Sequence, residues 1–462
     1  MKKLAFSKQF LRYWEKMKPI FKDTRTWKHA REMAVSCIVA DGPKTITNMI
    51  LFNKKYGNPM INHDNWSSCY KMLSTGKWDM EALSWKLLEI ALSFLKKDDI
   101  LYVAVDDTLL NKTGRCIPEC AYARDPKSPP FRTNLVWGQR ILCASVLIRS
   151  SARSAYRAVP ICFQSSPSVK IPSKATPEEK SKLVELKKKL KMSVVARDFI
   201  DKLRSHLDAI GQAKRKLLVC GDGSFANRSF MESPPHDTAM ICRCRSDLAI
   251  FRPLNDDEKI GKMLYGEKLP TPAELAKDSN VPHKSFECGV QHQHAQIKYK
   301  SMQNVRWKST LKNQNCTVFV IKGQYYQKYG KRQHTSPVHL VATGNISICE
   351  NTQISNTEIT AEKLLEVYLL RWEIEVSFRN QKNWLGIGNA QVWNENSVKR
   401  TPAFISACYA TLLMTSMKVF DDQRTDDFGK LPKWRNIAPL RPSIRDLVNL
   451  LKKEVQAMKH IA

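Results

Sequence analysis

The first hundred residues carry apolar side chains at helical spacing. The segments WKHAREMAVSCIVA, GPKTITNMILF and WDMEALSWKLLEIALSFL repeat apolar residues three and four positions apart, which predicts amphipathic helices. From about residue 98 short β-branched and aliphatic runs predict strands, namely ILYVAVDD, RILCASVLIRS and YRAVPICF. The Lys-rich segment KSKLVELKKKLKMSVVARDFIDKLRSHL then predicts a helix, and LLVCGD predicts a further strand. The chain is therefore expected to be an α/β protein with a mixed sheet flanked by helices.

The same patterns predict four domains. A helical N-terminal domain covers 1–97, the first part of the sheet core covers 98–245, and its second part with a helical C-terminal region covers 353–462. Between them, 246–352 is too long to be a loop. Its segments HAQIKYKSM, CTVFVIKG and VHLVATGN have strand character, which predicts a mainly β insertion domain. In the N-terminal domain, GPKTITNMI could open a helix-turn-helix that binds DNA ends, or it could belong to a helical bundle.

Four polar residues recur on one face of a predicted helix from Thr360 to a stop at Gly386. Tyr368, Arg371, Glu375 and Lys382 fall within a stripe about 60° wide at 100° per residue. A carboxylate between a guanidinium, an ammonium and a phenol suits a site that binds metal and phosphate together. A solvated helix face with an ion pair is the plain alternative.

Two upstream acids favour the site over the solvated face. The run ILYVAVDDT delivers Asp106 and Asp107 to the tip of one predicted strand, and KLLVCGDGSF delivers Asp222 to another. Acids at buried strand tips cost free energy unless they are paired or bind a metal. With Glu375 they predict a three-carboxylate site for divalent metal, although each Asp alone could be a turn former.

These motifs resemble the DDE transposases of bacterial insertion sequences, the group of the IS-four type marked by a Tyr-Arg-Glu-Lys signature. YLLRWEIEVSFRNQK matches its spacing without a gap. The strand end Asp-x-Thr points to Asp106 as the first acid, with Asp107 as the fallback if the register is one residue off. CGDGSF places the second acid at Asp222. The resemblance implies an RNase H-like core, whose order of strands and helices the chain follows.

The resemblance also implies an activity. Asp106, Asp222 and Glu375 would hold two Mg²⁺ or Mn²⁺ ions and catalyse cleavage and joining of DNA at the ends of an insertion sequence. Arg371 and Lys382 would bind flanking phosphates, and Tyr368 would position the strand. The expected partner is double-stranded DNA, comprising terminal repeats and target, bound by a homodimer. A structure-specific nuclease on the same core, or a transposase-derived DNA-binding protein without catalysis, remain alternatives.

Composition agrees with a nucleic-acid enzyme. The 462 residues have a formal net charge of +31, spread over the whole length, and 43% are hydrophobic. Such an excess attracts a polyanion, and a core this large supports more than one compact unit. The N-terminal segment lacks the apolar core of a signal peptide, and TPAFISACYATLLMTSM is expected to be a buried helix and not a membrane span. We therefore expect a cytoplasmic protein at the bacterial nucleoid.

Two further groups have weaker signals. Trp307 lies between Arg306 and Lys308 and could stack on an unpaired base at a DNA end, although packing is the commoner role of a tryptophan. The cysteines and histidines from 242 to 294 could be assembled into a zinc site, but their spacing is not that of a zinc finger; they are Cys242, Cys244, Cys288, His292 and His294.

Overall fold

In the computed structural model the chain forms two compact units. Unit 1 contains residues 1–96, 106–192 and 372–462, and unit 2 contains 97–105 and 193–371. The described residues are 4–57, 66–125, 128–129, 131–151, 153–255, 258, 263–290, 293–308, 310–328, 330–344, 359–431, 435 and 439–459. These units do not follow the four predicted domains, although the first segment of unit 1 ends within one residue of the predicted N-terminal domain.

Unit 1 is helical at both ends of its sequence. Its N-terminal helices are α1 (Ala5–Lys16), α2 (Thr24–Val39), α3 (Ile46–Tyr56), α4 (Trp66–Ser74) and α5 (Met80–Leu92). Side chains that accept backbone N–H bonds fix the starts of α2, α3 and α5, at Asp23, Thr45 and Asp79. The helix α2 packs on α3 and α4. The segment GPKTITNMI is thus part of a helical bundle, which is one of its two predicted alternatives. A role of this segment in DNA binding stays a prediction.

The core of unit 1 is the apolar helix α12 (Glu395–Phe420). It packs against α1, α2, α4, α5 and a strand of the unit 1 sheet. This helix is long and apolar enough to cross a membrane by length and composition, but 78% of its most apolar window is buried inside the protein. The prediction of a buried core helix is confirmed. The last helices of unit 1 are α11 (Trp372–Asn383) and α13 (Ile444–Lys459).

The sheet of unit 1 contains the second half of β1 (Leu101–Asn111) together with β2 (Cys120–Arg124), β3 (Leu135–Ile148) and β4 (Arg157–Ser165). The strand β3 lies between β1 and both β2 and β4, and it is antiparallel to the latter two. Gly138 is needed where β3 passes β1, because a Cβ atom there would lie 2.5 Å from the carbonyl oxygen of Leu110.

Unit 2 has a mixed sheet. Residues Leu101–Val105 of β1 pair in parallel with β5 (Leu217–Gly221), which pairs in parallel with β6 (Thr238–Arg243). The order then continues through β13 (Val338–Thr343), β10 (Leu311–Ile321) and β9 (Gln293–Trp307), each antiparallel to its neighbour. The strands β7 (Ile250–Phe251) and β8 (Lys284–Val290) pair with β9, and β11 (Tyr325–Lys328) forms a hairpin with β12 (Lys331–His334).

The helices of unit 2 are α7 (Met192–Ala209), α8 (Arg228–Met231), α9 (Pro272–Lys277) and α10 (Ala361–Leu370). The first residue of α7, Met192, still belongs to unit 1. Burial explains the position of α10, whose apolar face packs on β5 and β6. There the Cys220 thiol donates to the carbonyl oxygen of Val367 over 3.4 Å. The chain thus has the expected mixed α/β sheet with flanking helices.

Three local expectations need correction. The predicted Lys-rich helix is two helices, the exposed α6 (Pro177–Lys189) in unit 1 and then α7. The run from Lys187 to Lys191 lies at and beyond the end of α6, where its four lysines are exposed, as expected of a solvated segment. The strand β1 does not end at its acids but continues to Asn111. The strands of 246–352 are present, yet β13 pairs with β6, so this part of the predicted insertion domain continues the sheet of unit 2.

A buried ion pair joins the end of α12 to β4 within unit 1. The Arg157 guanidinium donates to both carboxylate oxygens of Asp422, over 2.7 and 3.0 Å, and also to the carbonyl oxygen of Pro442. The two side chains are 5% and 0% exposed. A charge buried this deeply is strongly destabilising once its partner is removed.

We predict that Asp422→Asn lowers the free energy of unfolding by about 3–5 kcal/mol. Asp422 has a φ of 51°, a conformation that asparagine also tolerates, so the substitution removes the charge and not the backbone preference. Urea unfolding measures the change. The matched control is Asp247→Asn in the exposed Arg245–Asp247 pair, for which we expect a much smaller loss because an exposed pair is screened by solvent; equal losses in the two variants would contradict the prediction.

Candidate active site

The two acids of β1 have different surroundings within unit 1. The Arg140 guanidinium donates to both oxygens of Asp107, over 2.8 and 3.0 Å. Asp106 is half-buried and its Oδ1 accepts the backbone N–H of Asp107 over 2.8 Å. Because successive strand side chains point to opposite faces, the carboxylates of Asp106 and Asp107 face different ways. A bidentate guanidinium pair occupies the oxygens that a metal would need, so the geometry favours Asp106 over Asp107 as a ligand.

Asp222 follows β5 in unit 2 and forms a turn. Its Oδ1 accepts bonds from the backbone N–H and the hydroxyl of Ser224, over 2.8 and 2.6 Å. This is the turn-forming role that the sequence left open, and it holds the half-buried carboxylate in one orientation. Gly221 lies before it, where a Cβ atom would be 3.0 Å from Cβ of Phe225. The CGDGSF motif is thus a tight turn that fixes the acid.

The parallel ladder between β1 and β5 ends directly before the acids. Its last registered pair is Val105 opposite Gly221, and the next residues along the chain are Asp106 and Asp222. The residues of β1 and β5 in this ladder are buried, whereas both acids are partly exposed. The boundary between the two units also follows Val105.

The signature segment is not one continuous helix. It begins as predicted, with Thr360 accepting the N–H of Lys363 over 3.3 Å. The helix α10 then ends at Leu370, and α11 begins at Trp372. Arg371 lies between them, in right-handed helical conformation, and donates its N–H to the carbonyl oxygen of Tyr368 over 3.2 Å. A bond of this spacing tightens the turn locally, and the unit boundary follows Arg371.

In unit 2 the phenol and guanidinium of the signature lie near each other. The Arg371 guanidinium is 5.9 Å from the centre of the Tyr368 ring. Burial raises the pKa of Tyr368, and the charges of Arg371 and of Arg243 act against that rise. Arg243 is an exposed residue at the end of β6. Tyr368 thus stays protonated and can donate its hydroxyl beside two cations.

The other two signature residues lie in unit 1. Glu375 is half-buried in the first turn of α11, where the helix dipole favours a carboxylate. Its neighbour Glu373 is buried and accepts two bonds of 3.2 Å from Arg441, so that acid is structural. Lys382 is exposed in the last turn. The structure thus brings Tyr368 near Arg371 in one unit, and it carries Glu375 and Lys382 on one helix of the other.

A buried lysine fixes the loop that follows α11. Lys112, at the end of β1, donates to the carbonyl oxygens of Gly388 and Ala390 over 3.1 and 2.7 Å. Burial lowers the pKa of Lys112 to about 8. The loop begins after α11 at Gly386, which has a φ of 52° and lies where the sequence predicted the helix stop. Lys112 therefore attaches the segment after Glu375 to the strand that carries Asp106.

Trp307 ends β9 and is half-buried. Its backbone is paired on both sides, with Leu311 of β10 and with Ile250 of β7. Packing therefore accounts for part of the side chain, and base stacking by Trp307 stays a prediction.

Within the described ranges, no group of three or more His, Cys, Asp or Glu side chains is arranged to hold a metal ion. The candidate acids Asp106, Asp222 and Glu375 belong to these described residues and are not arranged as such a group. Cys242 and Cys288 are buried and Cys244 is half-buried. His292 lies outside the described residues, and the side chain of His294 is not described.

Several functional candidates gave no signal in the sequence. Arg140 selects between the two acids, Arg243 lies by Tyr368, and Lys112 positions the loop after α11. All three act across strand or loop contacts between residues far apart in the chain, so no local spacing marks them. The only related signal in the sequence is its excess of basic residues.

Comparison with known families gives a match to part of the chain. Residues 277–410 match the family model described as a transposase DDE domain. This range is less than a third of the chain, and it contains Tyr368, Arg371, Glu375 and Lys382 but neither Asp106 nor Asp222. A search of curated proteins gave no match. The matched domain supports a transposase of the DDE type, which is a metal-dependent enzyme that acts on nucleic acid.

Proposed function

We propose that this protein is the transposase of a bacterial insertion sequence of the Tyr-Arg-Glu-Lys group, and that it cleaves and joins DNA at the ends of its own element. The observation that carries the proposal is the match of 277–410 to a transposase DDE domain, because the complete signature lies inside that range. The first two acids, outside it, are assigned from their own geometry.

The connectivity of the strands supports an RNase H-like core. In unit 1, β3 lies beside β1 and β4 beside β3; in unit 2, β5 is parallel to β1 and β6 is parallel to β5. The helix α7 precedes β5. Neighbouring strands followed by a helix and a parallel strand that carries an acid are the order expected of this core.

The donor set of Asp106, Asp222 and Glu375 fits hard divalent cations. All three are carboxylates, the ligands that Mg²⁺ and Mn²⁺ prefer, and all three are half-buried. Asp107 does not fit, because Arg140 occupies both of its oxygens. The carboxylates would hold two such ions, whose chemistry is to activate water or a DNA 3′-hydroxyl and to stabilise the leaving 3′ oxygen.

The remaining residues act on the DNA directly. Arg371 can bind a phosphate by two parallel N–H bonds, and Lys382 supplies a point charge. Tyr368 donates its hydroxyl to a phosphate oxygen, since burial keeps its pKa above the ordinary value. Arg243 lies near Tyr368 and would add a further phosphate contact. These groups orient the scissile strand and need no protein nucleophile.

The partners follow from charge and from the reaction. A net charge of +31 favours binding of double-stranded DNA, here terminal repeats and target. Joining two ends requires both to be held together, for which we propose a homodimer on paired ends. The site of action is the nucleoid in the bacterial cytoplasm. A structure-specific nuclease would use the same acids but would not join strands, so a strand-transfer assay separates the two.

We predict that Glu375→Gln abolishes DNA cleavage and leaves binding of DNA ends nearly intact. The amide keeps the shape of the side chain but is a poor ligand for a hard cation. Cleavage with Mg²⁺ and binding without metal are measured on the same DNA. The matched control is Glu395→Gln, an exposed acid at the start of α12, which should cleave normally. Cleavage by Glu375→Gln near the wild-type rate would show that Glu375 is not a metal ligand.

The register of the first acid gives a second prediction. Asp106→Asn should lose DNA cleavage, whereas Asp107→Asn should retain much of it, because Asp107 is the partner of Arg140. The assay is cleavage with Mn²⁺, with circular dichroism as a check of folding. The reverse pattern would show that Asp107 is the metal ligand and would leave the wider proposal unchanged.

A third prediction concerns phosphate binding by the signature helix. Lys382→Ala should weaken engagement of the DNA end and lower the salt dependence of binding by about one unit of slope. Metal dependence of cleavage should not change. The matched control is Lys399→Ala, since Lys399 pairs with Glu119 over 3.1 Å. Wild-type binding and cleavage by Lys382→Ala across a salt titration would contradict the assignment.

A further inference from the structure

An exposed cluster of aromatic rings and cations lies on unit 1, on the hairpin that continues from β1. Tyr122 of β2 and Trp137 of β3 are directly opposite in the ladder, with ring centres 5.2 Å apart. The Arg115 guanidinium is 5.3 Å from the first ring and 5.4 Å from the second, and it donates to the Tyr122 hydroxyl over 2.8 Å. These contacts hold both rings in fixed positions.

Trp393 belongs to the same surface. A Cβ atom on Gly114 would lie 3.6 Å from Nε1 of Trp393, and the indole of Trp137 donates to the carbonyl oxygen of Gly114 over 3.0 Å. Both tryptophans are therefore next to one glycine. We call Arg115, Tyr122, Trp137 and Trp393 the hairpin platform.

The hairpin platform is anchored to the segment that follows the signature helix. The backbone N–H of Thr113 donates to Oε1 of Gln391 over 3.1 Å, and Lys112 holds the carbonyl oxygens of Gly388 and Ala390. The loops after Asp106 and after Glu375 are thus joined here. Their rigidity lowers the entropic cost of binding a ligand.

Exposure and charge both point to a ligand. Trp393 is 66% exposed and Tyr122 is 48% exposed, and exposed rings that are grouped, unlike exposed rings that lie singly, mark interaction sites. The surrounding cations are exposed as well: Lys170 is 5.8 Å from the Tyr122 ring, and Arg124 lies on the same strand. The ligand therefore has flat apolar surfaces and negative charge, which are the features of an unpaired nucleotide.

We infer that the hairpin platform is a stacking site for unpaired DNA bases near the cleaved end. This inference rests on the proposed function for the source of the DNA. The rings of Trp393 and Tyr122 stack on bases, while Arg115 orients Tyr122 and Trp137 and adds positive charge.

The test is binding of single strands by the full chain without metal. Wild-type protein is titrated with (dT)12 and with an abasic 12-mer that has the same phosphates, in EDTA and at fixed salt. We expect (dT)12 to bind more tightly than the abasic strand. Trp393→Ala should lower the affinity for (dT)12 by about 5- to 100-fold. Binding of the abasic strand should change less than twofold. Trp393→Phe keeps a ring and should retain most of the preference.

Tyr325→Ala is the matched control. Tyr325 is also an exposed ring, 65% exposed, with the guanidinium of Arg332 4.0 Å from its centre, but it lies on the β11–β12 hairpin of unit 2. Its substitution should leave the preference for bases unchanged. The inference is overturned if wild type binds both strands equally, if Trp393→Ala weakens both equally, or if Tyr325→Ala causes the same loss.

The assay also separates this inference from the proposed function. It contains no divalent metal, so a chain that proves unable to cleave DNA can still show base-dependent binding through Trp393. Conversely, Trp393→Ala could cleave blunt duplex ends normally and also bind (dT)12 as tightly as wild type. That result would overturn the inference that the hairpin platform stacks on bases, and it would leave the catalytic assignment intact.

Discussion

The cost of burying charge among apolar strands and helices governs the arrangement of this protein. Within unit 1, the buried Arg157 and Asp422 satisfy each other, and Glu373 is held by Arg441. Asp107 likewise has Arg140. In each case a carboxylate within the framework is matched by a guanidinium, because an unmatched charge there would cost several kcal/mol. Asp106 and Glu375 are half-buried acids of the same unit, and their role as metal ligands stays a prediction.

The same constraint determines where the apolar part of β1 ends. From Leu101 to Val105 the strand is buried and pairs with β5. At Asp106 the pairing with β5 stops although the strand continues. Asp106 thus follows a segment that is paired with β5. Such support would keep the carboxylate in place, as its proposed role as a metal ligand requires.

The basic residues have two separate uses. Some are structural and buried, such as Lys112, which holds the loop after the signature helix through two carbonyl oxygens. Others are exposed beside aromatic rings, such as Arg115 on the hairpin platform. The first kind positions the loops, and we propose that the second contacts the DNA. A net charge therefore indicates a polyanionic partner without telling which lysines and arginines contact it.

The sequence by itself determined the elements that depend on local periodicity. The N-terminal helices, the buried helix α12 and the start of α10 at Thr360 follow from apolar spacing and capping residues. The spacing of the signature identified its four residues, and the match to a transposase DDE domain supports the family that this spacing indicated. The assignment of Asp106, Asp222 and Glu375 as metal ligands stays a prediction.

Only the tertiary structure decided what depends on partners distant in the chain. Strand periodicity did not show that β1 continues past its acids, or that β13 pairs with β6 and extends the sheet, because pairing is set by long-range hydrogen bonds and not by local pattern. The break at Arg371 was also invisible, since its neighbours are good helix formers. The preference for Asp106 over Asp107 as the proposed ligand rests on Arg140, which lies 33 residues from Asp107 and meets it only once the sheet has formed.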